Sequence, residues 1–291
     1  MKLTMKLINF ISLLMDRLEE LYDSSKSWAF VGTFLALSFL FGIFAVEMNI
    51  RGFVPGFIAH LIPVKHVVII AQVFTILLCF EVISLIFSFV HSVSISMGKQ
   101  IEVLSLVLLR DVFKEFSHFN EPIEWIQIKV YLFPMMSSAI GAFVIFIILG
   151  YYYKIYKSKP ITEDVNERRN FIKIKKNIAF FLLLCFIIII IYEAILYIKT
   201  GIPHKAFETF YTILIFSDIL IILVAMRYSS SYIITFRNSG FAVATVFIRL
   251  ALMAPPPFSA LIGIGSALFV VGLSFNYMHC KSPDTCYDTD D

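Results

Sequence analysis

Four ionisable side chains stand inside long apolar stretches of this 291-residue chain: Glu81, Arg110, Asp218 and Arg249. A charge at the centre of a bilayer costs roughly 2.5–3.5 kcal/mol on insertion scales, so it is usually paired or put to use. An acid and an arginine can offset one another, and the order predicts one pair in each half of the chain, Glu81 with Arg110 and Asp218 with Arg249. Two roles follow from that chemistry. Either the pairs line a hydrophilic path, with the carboxylates as cation or proton sites and the guanidiniums as counter-ions, or they are buried salt bridges that fix how two helices are rotated. Net stabilisation is no argument for the second, because desolvation can exceed the Coulombic gain. Glu47 and Glu193 close the first apolar stretch of each half and are weaker path candidates. Ser94 and Ser230 belong to serine clusters that either line a polar vestibule or allow close helix contact.

The elements that must hold these residues follow from composition. Hydrophobic residues make up 59% of the chain and charged ones 15%, with a mean hydropathy of +0.86. A soluble domain averages about 45–50% and about 25%, so a single water-soluble globule is excluded. Apolar stretches near the length of a membrane-crossing helix, about 20 residues, cover 28–46, 67–97, 130–153, 177–198, 207–228 and 258–278. Two shorter ones, 101–116 and 239–254, each carry an arginine near the middle. If all eight cross and the N-terminus is cytoplasmic, 16 Lys and Arg residues face the cytoplasm and 5 face outward. The positive-inside rule expects that imbalance. The expected fold is therefore all-α, a polytopic membrane bundle of about eight segments with both termini cytoplasmic.

A repeat organises these segments. Phe34-Leu-Ala-Leu-Ser-Phe39 parallels Phe181-Leu-Leu-Leu-Cys-Phe186, and Gly52-Phe-Val-Pro55 parallels Gly201-Ile-Pro203. Phe74-Thr-Ile-Leu77 with Glu81 parallels Tyr211-Thr-Ile-Leu214 with Asp218. The serines at 92, 94 and 96 parallel those at 229, 230 and 231, and Ala139-Ile-Gly-Ala142 parallels Gly263-Ile-Gly-Ser266. Four segments recurring in one order predict two parallel repeats about an axis along the membrane normal. The expected organisation is an amphipathic helix at 1–26, repeat 1 at 27–156, a basic cytoplasmic linker at 157–176, repeat 2 at 177–278 and a polar acidic tail at 279–291. The first helix either lies in the interface or packs on the bundle.

Lys173, Lys175 and Lys176 of the linker are candidates for lipid headgroups, or simply set topology. Pro134 can kink its helix, and Pro255-Pro256-Pro257 makes a stiff turn. Cys79 and Cys185 read as small hydrophobes. Cys280 and Cys286 match no zinc spacing, and the six histidines are scattered. No hydrolase elbow, zincin helix, Walker loop or dinucleotide fingerprint is present. No catalytic residue, metal, cofactor or nucleic-acid partner is expected; the expected partners are the lipid bilayer and further copies of the chain.

One pattern resembles a known family. Ile215-Phe-Ser-Asp-Ile-Leu-Ile-Ile222, then Val246-Phe-Ile-Arg-Leu-Ala-Leu252, then Pro257 and a final apolar span is similar to the phosphate-starvation-inducible PsiE family, small bacterial inner-membrane proteins of about four helices. The first half, with Glu81 and Arg110, follows only the outline, so the resemblance implies two fused units. It also implies the bacterial plasma membrane and a stress or nutrient context, with no settled activity. Together these features lead to the expectation of a channel- or transporter-like passage for a small ion or solute. The alternative is a non-conducting membrane scaffold or stress-signalling subunit.

Overall fold

The structure is a computed structural model that describes residues 2–59, 61–91, 93–121, 123–155, 165–200, 206–226 and 232–279. Among these all regular structure is helical. In chain order it comprises α1 (Lys2–Asp23), α2 (Ser25–Ile50), the single turn α3 (Gly56–Ala59), α4 (His66–Ser88) and α5 (Val93–Phe116). Then follow α6 (Trp125–Ile155), α7 (Val165–Thr200), α8 (Ala206–Met226), α9 (Tyr232–Met253) and α10 (Phe258–His279). In lipid the helix satisfies every backbone group within its own segment, which is why an apolar chain of this length folds this way. Six helices hold a stretch long and apolar enough to cross a membrane: α2, α4, α6, α7, α9 and α10. Their outer faces are apolar and bare, with Leu37, Phe41, Phe143, Phe146 and Ile188 all exposed. A bilayer solvates such a surface and water does not, so the chain is a multi-pass helical membrane protein.

Two boundaries differ from the sequence expectation. The stretch 67–97 is not one helix: α4 stops at Ser88 and α5 starts at Val93. Ser88 Oγ donates to Leu85 O at 2.6 Å, while Phe89, Val90 and His91 each bond back three residues, tightening and ending the helix. Serine hydroxyls compete with the backbone ladder in this way. Ser94 and Ser96 thus open α5 instead of closing α4, and the counterpart serines 229–231 lie outside the described residues. The short stretches 101–116 and 239–254 also prove to be the later parts of longer helices, of 24 and 22 residues.

Packing follows chain order. α2 lies on α4, α4 on α5 and α5 on α6; likewise α7 lies on α8, α8 on α9 and α9 on α10. The two sets meet where α6 packs on α10 and α5 on α9. One apolar core is built from α4, α7 and α8 with Met15 of α1 and Val103 and Val107 of α5, the other from α5, α6, α9 and α10. The α6–α10 seam is close because it is made of small residues. A Cβ on Gly141 would sit 2.5 Å from the Ala260 Cβ, and one on Gly263 2.9 Å from the Ile145 Cδ1. Such glycines let backbones approach where hydrophobic driving force is absent.

Of the two placements open for the first helix, α1 takes the packed one. Its apolar stripe, including Ile11, Met15 and Leu18, joins the first core. Polar ties secure it. Asp16 pairs with Lys176 of α7 at 2.5 Å, Glu19 lies 3.4 Å from His91, and Tyr22 donates to Phe80 O at 2.8 Å. Burial raises the Glu19 carboxyl above its ordinary value, against the pull of His91, and pushes the Tyr22 phenol up to about 12.

Candidate functional site

The second acid–arginine pair is present. Asp218 stands midway along α8 and Arg249 in the second half of α9, and Arg249 Nη2 donates to Asp218 Oδ2 at 3.3 Å with both side chains buried. The first pair is not. Arg110 turns to its own neighbour, with Nη2 3.0 Å from Asp111 Oδ1. The reason is access to water. Arg110 and Asp111 both line an open cleft and are partly exposed, whereas Glu81 is buried on α4 below that cleft. A guanidinium pairs more cheaply at a wet wall than with a carboxylate stripped of solvent. Asp111 is therefore the partner that Glu81 was expected to be.

The cleft has a volume of about 620 Å³. It lies among the first half of α4, the last turns of α5, the start of α8 and the α9–α10 turn, with Thr75, Arg110, Asp111, Glu115, Glu208 and Tyr211 in its lining. The turn is stiffened by Pro255 and Pro256, as the proline run predicts. At the floor of the cleft Tyr211 is buried, and its hydroxyl finds no hydrogen-bond partner among the described residues. Arg110 Nε, Arg249 Nε and Arg249 Nη1 are also buried and unpartnered among them. Buried donors without acceptors are costly, so this concentration marks where polar capacity outruns what the fold itself uses.

At the other end of the same helices is a second, much smaller cavity of about 20 Å³. Ser96 and Gln100 of α5, Lys175 of α7, Asp218 of α8 and Thr245 of α9 line it. Along α8 the two spaces are separated by the seven residues from Tyr211 to Asp218, about 10 Å at 1.5 Å per residue. Leu214, fully buried, lies in that interval of α8, and Val82 of α4 is fully buried as well.

The remaining candidates are dispersed. Glu47 pairs with Arg51 at 2.6 Å and lies 3.6 Å from His66, half exposed at the end of α2, away from both cavities. Glu193 is half-buried on α7. Ser94 is half-buried, and its carbonyl accepts from Tyr152 Oη at 2.7 Å. Ser230 lies outside the described residues. Among the linker lysines, Lys176 holds Asp16 and Lys173 sits one turn earlier on α7. Lys175 is buried instead of facing headgroups, and its ammonium donates to the carbonyls of Val90 and His91 released where α4 ends. A cation just past the end of α4 also faces the negative end of that helix's dipole.

Gln100 and Tyr211 carry no charge, and neither stands out in an apolar helix; only their convergence in space marks them. The signal for Tyr211 was its place opposite Phe74 in the repeat, where one half has a phenol and the other none. Outside the membrane segments, Glu121 accepts from Val67 N at 2.9 Å and lies 3.0 Å from His66 Nδ1, stapling the loop after α5 to the first turn of α4. The hydrogen bond to His66, then that to Val67, holds its carboxyl below the ordinary value of 4.5.

No protein-family model, curated protein or solved structure matches the chain.

Proposed function

We propose that the chain is a passage for a small ion or solute, seen here closed, with its gate at the Asp218–Arg249 pair. One observation carries this reading. A polar cleft of about 620 Å³ enters from one end of α4 and α5, a small cavity with Asp218 in its lining lies toward the other end, and about 10 Å along α8 separates them. A structural salt bridge needs no such openings, and a path does. The cleft lining carries three carboxylates, Asp111, Glu115 and Glu208, against two cations, Arg110 and Lys114, which favours a cation or a proton over an anion.

The same reading extends to the whole chain. All eight long helices α2 and α4–α10 cross the bilayer as two parallel four-helix repeats with both termini cytoplasmic, in a bacterial inner membrane as the PsiE resemblance implies. The order of packing, identical in the two halves, supports the repeat, and the basic residues of the linker support the orientation. The test is flux in reconstituted vesicles. With Glu81→Gln and Asp218→Asn combined, ion flux should fall to the protein-free background in vesicles whose protein keeps the helical circular dichroism of the unaltered chain. Flux equal to that of the unaltered protein would sink the proposal.

A further inference from the structure

Between α1, α2, α4 and α7 runs a groove of about 500 Å³, within the range of ordinary small-ligand sites, roughly 300–1,000 Å³. Its walls are apolar, with Leu21, Val31, Ile83, Phe87 and Leu183 among them. Lys26 is the one charged residue in the lining, and it sits with Trp28 on the first turn of α2. A tryptophan beside a lysine at the start of a membrane-crossing helix marks the level of the headgroups. Tyr22 ties that level to the end of α4, its ring 5.7 Å from that of Trp28 and 5.3 Å from that of Phe87. From there the groove follows α4 back from Phe87 to Phe80, about 10 Å at 1.5 Å per residue, toward the hydrocarbon. Lys26 has no carboxylate within salt-bridge distance among the described residues. Two acids near the end of α1 face other groups: Glu19 lies 3.4 Å from His91 and Glu20 3.8 Å from Arg17.

We infer that this groove holds one anionic phospholipid of the bilayer, with an acyl chain along it and the headgroup phosphate at Lys26. A trough that starts beside a cation and continues between apolar walls matches a molecule with a negative head and an apolar tail, in the same order from surface to interior. The Lys26 ammonium serves the phosphate as a point charge. A second copy of the chain suits the groove less, because a helix laid over it would bury that ammonium without a partner, which is costly. The headgroup role expected of the linker lysines thus falls to a residue ahead of the first span, while Lys175 and Lys176 are spent inside the protein. The lipid also has a part in the fold: α2 packs chiefly on α4, and the acyl chain fills the space left between α2 and α7. The site is independent of the passage and stands whether or not the chain conducts.

The chain supplies its own reporter. It has two tryptophans, Trp28 and Trp125, so Trp125→Phe leaves a single indole, at the groove. The full-length protein is placed in vesicles of phosphatidylglycerol and phosphatidylcholine, one of the two carrying brominated acyl chains that quench indole fluorescence on contact. Brominated phosphatidylglycerol should quench Trp28 at a mole fraction about fivefold lower than brominated phosphatidylcholine, the worth of one lysine facing an anionic headgroup. Lys26→Gln in the same background should make the two lipids equal, and Lys26→Arg should keep the preference, with the helical circular dichroism of both variants unchanged. In the converse background, Trp28→Phe, quenching of Trp125 should not respond to Lys26→Gln. Equal quenching of Trp28 by the two lipids with Lys26 in place overturns the anionic headgroup, and so does a preference that survives Lys26→Gln. A response of Trp125 to Lys26→Gln would mean that the lysine acts on surface charge at large, which overturns the site. No quenching of Trp28 by either lipid would mean that protein covers the groove, which overturns the lipid.

Discussion

At the scale of single residues the bundle separates two kinds of charge. Those near its ends are tied locally: Glu47 to Arg51, Lys99 to Glu102, and Glu121 to the start of α4. Glu121 makes the sharpest case because its effect has a defined pH window. Its carboxyl is held below 4.5 in the fold, so the proton prefers the unfolded chain, and the stabilisation is complete above 4.5. It is lost as the pH falls through the lower folded value. The protection factor of the Val67 amide, its exchange rate relative to that of an unfolded amide at the same pH, should therefore fall severalfold below that window, and Glu121→Gln should show the lower protection already at pH 7. Protection at Val67 indifferent to both changes would separate this carboxylate from the helix start. Legibility in the sequence was uneven at this scale. Asp218 with Arg249 could be read because charge inside an apolar run is rare and each needs the other. The partner of Arg110 could not, because whether Arg110 faces Glu81 or its neighbour depends on where the cleft admits water.

At the scale of helices, apolar runs marked most elements but misplaced their ends. The run 67–97 contains neither proline nor a helix-breaking pair, apart from Gly98 just past it, so composition alone could not reveal the stop at Ser88. That stop depends on hydroxyl back-bonding and on Lys175, which arrives from nearly 90 residues away to hold the freed carbonyls. The glycines of the two parallel spans, at 141 and 263, turn out to meet at the α6–α10 seam. Gly141→Val should be costly there, since even its first carbon would lie 3.2 Å from Ala260 Cα and 2.5 Å from its Cβ. We expect a loss of about 1–3 kcal/mol from overpacking, read as a lower melting temperature in detergent. Gly265→Val, with open space around it, should change that temperature far less. Equal losses at the two positions would show that the seam is not where small size matters.

For the molecule as a whole, the distribution of basic residues makes a prediction about sidedness. In a background with the four cysteines replaced, a cysteine at 162 in the basic linker should react with a membrane-impermeant reagent only from the cytoplasmic side. One at 120, in the loop after α5, should react only from the opposite side. Labelling of both from one side would mean that α6 does not cross, or that the orientation is otherwise. The architecture also limits where a path can run. The α6–α10 seam is sealed by glycine-mediated contact, so the openings lie beside it, among α4, α5, α8 and α9.

The choice made by Arg110 reaches beyond its own surroundings. Because Arg110 binds Asp111, Glu81 has no cation within salt-bridge distance among the described residues, while Asp218 has Arg249. The two pairs expected from the sequence are therefore not equivalent: one is a buried ion pair, and in the other the arginine is held by its own neighbour.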